Sequence, residues 1–213
     1  MFKKKERIVF VGDSITDAGR DYGAAPAAWS SWGEGFVNLI NAYTTGLHPE
    51  KELMIINQGI SGNRITDLKE RWAEIMALQP DCLTIMIGVN DVWRQFDGTF
   101  MQQEQVKLDK FEKIYEELIL ESLEKRIKLV LLSAFMVEAN QEDPMKKMLM
   151  TYNQITEKLA DKYGLSYVDL QVEMDRFTAL QSSYVLSADR VHPSLAGHVI
   201  IAKAWLQAVK LEG

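Results

Sequence analysis

Cys82-Leu83-Thr84-Ile85-Met86-Ile87 is the stretch whose reading decides the fold. It is apolar almost throughout, with no alternation of polar and apolar positions. A run of that kind fits a strand buried on both faces, as in a parallel sheet covered by helices. Outward from it, four further runs read as strands: residues 7–12 around Ile8-Val9-Phe10-Val11, Leu53-Met54-Ile55-Ile56-Asn57, Lys128-Leu129-Val130-Leu131-Leu132, and Leu165-Ser166-Tyr167-Val168-Asp169. Helical patterns fall between and after them, at about 33–45, 64–78, 103–125, 144–163, 171–180 and 194–211. Ile65, Leu68, Trp72, Ile75 and Met76 are spaced for one buried face of the second. Val106, Phe111, Ile114, Tyr115 and Leu118 lie near one side of the third. Asp143-Pro144 opens the fourth, with proline in the first turn, and Gly164 closes it as a left-handed glycine would. Strands alternating with helices make an α/β fold with a parallel sheet covered on both faces. No repeat, low-complexity tract or linker interrupts the pattern, so one domain is expected over residues 1–213. The long loops, about 13–31 and 88–102, leave carboxyl ends of strands, the rim where open α/β sheets hold their sites.

Composition narrows the function classes. Of the 213 residues 47% are hydrophobic and 25% charged, enough for a core and too ordered a composition for a disordered chain. Twenty-four basic against 30 acidic residues give a net charge of −6, which gains nothing from counterion release and speaks against a nucleic-acid partner. Lys3-Lys4-Lys5 reads as a solvated tail. No run approaches the ~20 apolar residues that span a bilayer, so no membrane partner is expected. Only Ile8-Val9-Phe10-Val11 precede Gly12-Asp13, too short for a secretory signal core. Cys82, the single cysteine, cannot form an internal disulfide and reads as a buried thiol, so the expected address is cytoplasmic.

The chemistry begins at Gly12-Asp13-Ser14, directly after the first strand. A serine on a tight turn there can present its hydroxyl above the sheet, with peptide N–H groups facing a developing oxyanion. Taken alone, the tripeptide reads as readily as a turn cap. Asp189-Arg190-Val191-His192-Pro193 changes that reading. A hydroxyl needs a base, histidine titrates near neutral pH, and the imidazole needs an acceptor to fix its tautomer. An aspartate three residues before it, on a loop that Pro193 keeps from becoming helical, supplies one. His48 and His198 have no comparable partner. Gly59-Ile60-Ser61-Gly62-Asn63 and Gly88-Val89-Asn90-Asp91 leave the second and third strands on the same rim and can offer a backbone N–H and the Asn90 amide to an oxyanion.

In these four blocks the sequence resembles the SGNH/GDSL hydrolase family. The resemblance implies a flavodoxin-like three-layer sandwich with a five-stranded parallel sheet in the order 2-1-3-4-5. It implies a Ser14–His192–Asp189 triad, an oxyanion bound by the Ser14 N–H, the Gly62 N–H and the Asn90 side chain, and a structural role for Ser61. Asn57-Gln58-Gly59-Ile60-Ser61-Gly62-Asn63, Ile87 to Gln95, Asp143-Pro144-Met145 and Asp189 to Ser194 look like those of intracellular bacterial acetylxylan esterases of this family. That implies a small-molecule ester substrate, acetylated xylo-oligosaccharides foremost, with no cofactor, and it admits a homo-oligomer.

Trp29, Trp32 and Trp93 lie on or beside the rim loops and could stack on a sugar or wall a small acyl pocket. Trp93-Arg94 is best placed to limit acyl length, with Trp32 as a second substrate contact. Asp13, Asp17 and Asp91 cluster on the rim, but no ligand spacing supports a metal. Asp13 and Asp91 are expected to accept backbone hydrogen bonds that hold their turns. Two rivals use the same motifs: a lipase, lysophospholipase or thioesterase with a longer acyl slot, and a non-catalytic carbohydrate- or acyl-binding module. A dinucleotide site is opposed by the missing Gly-x-Gly-x-x-Gly pattern.

Overall fold

The fold was derived as a computed structural model, which describes residues 2–97 and 104–211. Five parallel strands run β1 (Arg7–Gly12), β2 (Met54–Gly59), β3 (Cys82–Met86), β4 (Lys128–Leu132) and β5 (Ser166–Val168), in the order β2-β1-β3-β4-β5. The expected three-layer α/β architecture and strand order are those observed. The helices are α1 (Ser14–Asp17), α2 (Phe36–Leu47), α3 (Ile65–Glu70), α4 (Trp72–Ala77), α5 (Val89–Trp93), α6 (Leu108–Glu124), α7 (Pro144–Tyr163), α8 (Leu170–Thr178) and α9 (Leu195–Ala208). Helices α2 and α9 pack together, as do α3 with α6 and α6 with α7.

Strand β3 is buried at every position. Its one hydroxyl, Thr84 Oγ1, accepts a hydrogen bond from Trp205 Nε1 at 2.9 Å, so α9 satisfies the only polar side chain of that strand. The ring of Trp205 in turn packs on Phe10, 5.1 Å between centroids, and on Phe2 at 5.9 Å. Side chains such as Ile8, Val9, Val11, Ile85 and Leu131 are fully enclosed. Each contributes roughly 1.5–3 kcal/mol over an exposed position.

Several boundaries differ from the sequence reading. The helix expected at 33–45 begins at Phe36, because Gly35 is its extended N-cap. The single helix expected over 64–78 is two, broken at Arg71, whose ψ of 10° departs from helical geometry. Both long loops contain a short helix, α1 and α5. The third expected helix starts at Leu108, the residues 98–103 lying outside the described part of the chain. Strand five is shorter than expected, because Asp169 instead caps α8, its carboxylate accepting from the Val172 N–H. The last helix spans Leu195–Ala208, inside the expected bounds.

Two features place the rim. Gly12 pairs with Gly59 on one side and with Met86 on the other, so β1, β2 and β3 end level. Gly59 also lies against the backbone of α1: a Cβ there would stand 2.1 Å from the Asp17 nitrogen. Only glycine lets α1 approach so closely.

Candidate active site

Ser14 is the first residue of α1, immediately after β1 and the N-cap Asp13. The buried Asp13 carboxylate accepts the Ile15 N–H at 3.0 Å, which fixes the turn. At the far end of the chain, Asp189 and His192 lie on the turn before α9. Ser14 Oγ stands 2.8 Å from His192 Nε2, and His192 Nδ1 stands 2.5 Å from Asp189 Oδ2. The other carboxylate oxygen, Asp189 Oδ1, accepts from the His192 N–H at 2.8 Å, the Val191 N–H at 3.0 Å and the Ser187 hydroxyl at 3.0 Å. Burial alone would push the Asp189 carboxyl up, but the His192 ring and the N–H groups of His192 and Val191 hold it well below the usual carboxylate range. A carboxylate only accepts, so Nδ1 carries the proton of neutral His192 and Nε2 is left to accept from the Ser14 hydroxyl.

The second and third blocks meet on the same rim. Gly62 is left-handed, φ +81°, in the turn closed by the Asn63 N–H to the Ile60 carbonyl. Asn90, buried on α5, donates from Nδ2 to the Asn63 carbonyl at 3.1 Å. Both oxygens of the next residue, Asp91, accept from the Ile65 N–H, at 3.0 and 3.2 Å. Asp13 and Asp91 thus accept backbone hydrogen bonds at their turns, and burial pushes both carboxyls up to about 7. Among the described residues no histidine is hydrogen-bonded to Ser61; its N–H donates to Asp17 Oδ2 at 3.1 Å.

The cleft beside Ser14 has a volume of about 510 Å³ and is lined by Ile15, Ala18, Glu34, His192, Pro193 and His198 among others. His198 Nδ1 accepts the Phe36 N–H at 3.2 Å, and burial pushes its imidazole down to about 4. Of the aromatic residues singled out in the sequence, Trp93 reaches this site, its ring 6.0 Å from that of His192. The Arg94 guanidinium stacks 5.5 Å from the Trp93 ring and pairs with Asp97. Trp32 does not reach it. Its Nε1 donates to the Ile55 carbonyl on edge strand β2 at 2.7 Å, and with the 91% exposed Trp29 it lines a different cavity of about 620 Å³. Among the described residues no three His, Cys, Asp or Glu side chains are grouped to hold a metal, and no helix is long and apolar enough to cross a membrane.

Sequence reasoning missed the residues that brace these blocks. Arg71, at the break between α3 and α4, donates from Nε to Asn63 Oδ1 at 2.7 Å and from Nη2 to the Gly12 carbonyl at 3.2 Å. Arg20 Nε donates to the Gly59 carbonyl at 2.8 Å, and the Tyr22 hydroxyl donates to Asp17. Arg190 adopts φ +70°, a left-handed conformation that costs a non-glycine residue about 1–2 kcal/mol. The only signal for the three arginines was a charge near a motif, which is common on surfaces, and Tyr22 carried none.

The chain is similar to known proteins over nearly its whole length. The family model of the GDSL-like lipase/acylhydrolase family matches residues 10–200. An acetylxylan esterase of Geobacillus stearothermophilus is 37% identical over 208 residues, covering 97% of this chain and 95% of that protein. Its crystal structure superposes with a TM-score of 0.94 at 36% identity, covering 98% of this chain and 95% of that one. An alpha/beta hydrolase enzyme from the metagenome of Lake Arreo, Spain, superposes with a TM-score of 0.96 at 38% identity, covering 100% of this chain and 98% of that one. Catalytic mutants of the Geobacillus enzyme have been solved with a serine, an aspartate and a histidine each replaced by alanine.

Proposed function

The chain belongs to the GDSL-like lipase/acylhydrolase family, and from that premise we propose that it hydrolyses short acyl esters of carbohydrates, acetylated xylo-oligosaccharides foremost, through Ser14, His192 and Asp189. The observation that carries this reading is the continuous hydrogen-bonded line from Ser14 Oγ through both His192 nitrogens to Asp189 Oδ2. His192 Nε2 takes the hydroxyl proton as Ser14 Oγ attacks the acetyl carbonyl carbon. The tetrahedral oxyanion is bound by the N–H groups of Ser14 and Gly62 and by the Asn90 amide, whose one N–H is held by Asn63 and whose other is left for the substrate. The intermediate collapses as His192 returns the proton to the departing sugar oxygen, leaving an acetyl ester on Ser14. Water, deprotonated by His192, then releases acetate and restores the serine. Asp189, ionised throughout, keeps Nδ1 protonated and stabilises the imidazolium.

Trp93, with Arg94 stacked on it, walls the acyl side and limits chain length. A cytoplasmic address belongs to the same reading, Cys82 being a free buried thiol and the single cysteine of the sequence. So does assembly as a homo-oligomer, which sedimentation would read directly. The deciding experiment is acetate release from acetylated xylo-oligosaccharides with Ser14→Ala protein as the blank, alongside p-nitrophenyl acetate, butyrate and octanoate. Acetate release with a steep fall beyond the acetyl ester is expected. Rates that rise with chain length would assign the enzyme to the lipase and thioesterase side of the family, and hydrolysis surviving in Ser14→Ala would refute the triad.

A further inference from the structure

The turn carrying Asp189 and His192 is gripped from outside by groups that the proposed reaction does not use. The Arg190 carbonyl accepts the Val137 N–H at 2.8 Å. Its Nη1 donates to Glu138 Oε2 and to Asp143 Oδ2, each at 2.9 Å. Both carboxylates belong to the segment that joins β4 to α7, and they are far better shielded (18% and 16% exposed) than the arginine at 45%. That segment is itself pinned. Lys146 of α7, its side chain 2% exposed, donates from Nζ to the Glu138 carbonyl at 2.6 Å and to Asp175 Oδ1 at 2.7 Å. Gln171 of α8 donates to Asp175 Oδ1 at 2.8 Å and to the Met136 carbonyl at 3.0 Å, and accepts the Met136 N–H at 2.8 Å. Asp143 Oδ1 also caps α7 through the Lys146 N–H at 2.9 Å. Arg190 therefore joins a half-exposed turn to a buried scaffold of two helices.

We propose that Arg190 is a positioning residue for ester hydrolysis: by bridging Glu138 and Asp143 it holds the Asp189–His192 turn in register with Ser14. The inference rests on the triad reading above. The side chains of Asp189 and His192 are 44% and 47% exposed, so close packing does not fix them. Ser14 sits at the start of α1, directly after β1, and is not part of that turn. Any displacement of the turn therefore changes the 2.8 Å separation between Ser14 Oγ and His192 Nε2 directly. The left-handed backbone of Arg190 adds a driving force for such movement. Once the guanidinium is removed, φ can relax from +70° and rotate the Val191 and His192 N–H groups away from Asp189 Oδ1. A misplacement of about 1 Å at a reacting group costs about 100-fold in rate, and a partial relaxation about tenfold.

The test compares wild type with Arg190→Gln, Arg190→Lys, Glu138→Gln and the Arg190→Gln/Glu138→Gln double variant on p-nitrophenyl acetate, with kcat expressed per active site titrated by a fluorophosphonate. Expected are a fall in kcat of about tenfold for Arg190→Gln with KM within about twofold, recovery to within about threefold of wild type for Arg190→Lys, and a double variant no slower than Arg190→Gln. The low-field proton NMR resonance of the His192–Asp189 hydrogen bond should broaden in Arg190→Gln and persist in Arg190→Lys. Should Arg190→Gln fail to fold, Glu138→Gln keeps the arginine and half of the bridge, and a fall of about threefold in kcat per site is expected there. A kcat per titrated site equal to wild type in Arg190→Gln, or in Glu138→Gln where that is the folded variant, would overturn the inference even if the melting temperature fell. Ser14→Ala runs in parallel: an active Ser14→Ala protein defeats the triad reading, whereas an inert one beside a fully active Arg190→Gln defeats only the role of Arg190.

Discussion

Replacing Gly59 with alanine should disable the enzyme without unfolding it. The added Cβ would lie 2.1 Å from the Asp17 nitrogen, 2.6 Å from the Thr16 carbonyl carbon and 2.7 Å from the Asp17 Cα, all backbone atoms, so no side-chain rotation relieves the clash. Carbon atoms of this kind essentially never approach closer than 3.0 Å, so α1 and the end of β2 must part by about 1 Å. Asn57 resists that movement, since its Nδ2 donates to the Thr16 carbonyl at 2.7 Å and to the Asp17 carbonyl at 3.2 Å. Overpacking of this size costs about 1–3 kcal/mol of stability. Ser14 rides on α1, so the same shift pulls its hydroxyl out of reach of His192, and kcat should fall about 100-fold, equivalent to about 2.7 kcal/mol. The assay is kcat on p-nitrophenyl acetate per titrated site, with circular dichroism and melting temperature as the measure of fold. Gly46→Ala is the matched control. Gly46 is exposed near the end of α2 with open space around its Cβ direction, and alanine there should be neutral or stabilising by about 0.5–1 kcal/mol. A folded Gly59→Ala enzyme with kcat within threefold of wild type would refute the argument.

His198 gives a pH prediction. Burial pushes its imidazole down to about 4, against about 6.5 in an unfolded chain. Between those values the unfolded chain binds more protons, so His198 contributes stability that is present above about pH 6.5 and lost as pH falls through 4, in all about 3 kcal/mol. Asp13 and Asp91, raised to about 7 by burial, act in the opposite sense, favouring the folded state as pH falls from 7 towards 4. The quantity to read is therefore the difference between wild type and His198→Gln in urea unfolding at pH 7 and pH 5; parallel slopes for the two proteins would disprove the assignment. Trp93→Ala should raise the octanoate-to-acetate rate ratio by about tenfold, because the wall beside His192 is removed. Trp32→Ala should leave that ratio unchanged, its ring being spent on the edge of β2. Equal effects of the two would mean that both line the acyl pocket.

The strands and their alternation with helices were legible because the buried strands are apolar runs, and the triad because Gly12-Asp13-Ser14 stood at a strand end and Asp189-Arg190-Val191-His192 before the last helix. Short helices were not. Four residues in α1 and five in α5 span too little of a turn pattern for periodicity to register. The break at Arg71 was hidden for a different reason: Leu68, Trp72 and Ile75 keep helical spacing across it, since both halves bury the same side. Trp32 read as a substrate contact because its loop leaves the rim, whereas its Nε1 donates to the Ile55 carbonyl on β2, a partner the sequence does not reveal. Arg190 and Lys146 have the opposite problem. Charged residues beside a motif read as solvated surface, and only the packed chain shows Lys146 enclosed and Arg190 bridging two carboxylates.

The distance along the chain between Ser14 and His192, 178 positions, has a consequence for biosynthesis. A ribosome delivers Ser14 178 positions before its base. Strand β1 lies between β2 and β3, so even the seat of Ser14 is not enclosed until β3 has emerged. Until His192 has emerged, the growing chain carries the Ser14 hydroxyl without the base that would activate it. Reactivity arrives when α9 docks Trp205 against β3 and His192 comes to stand over Ser14. A chain that stops before His192 is then inert, and never a half-formed, unselective hydrolase.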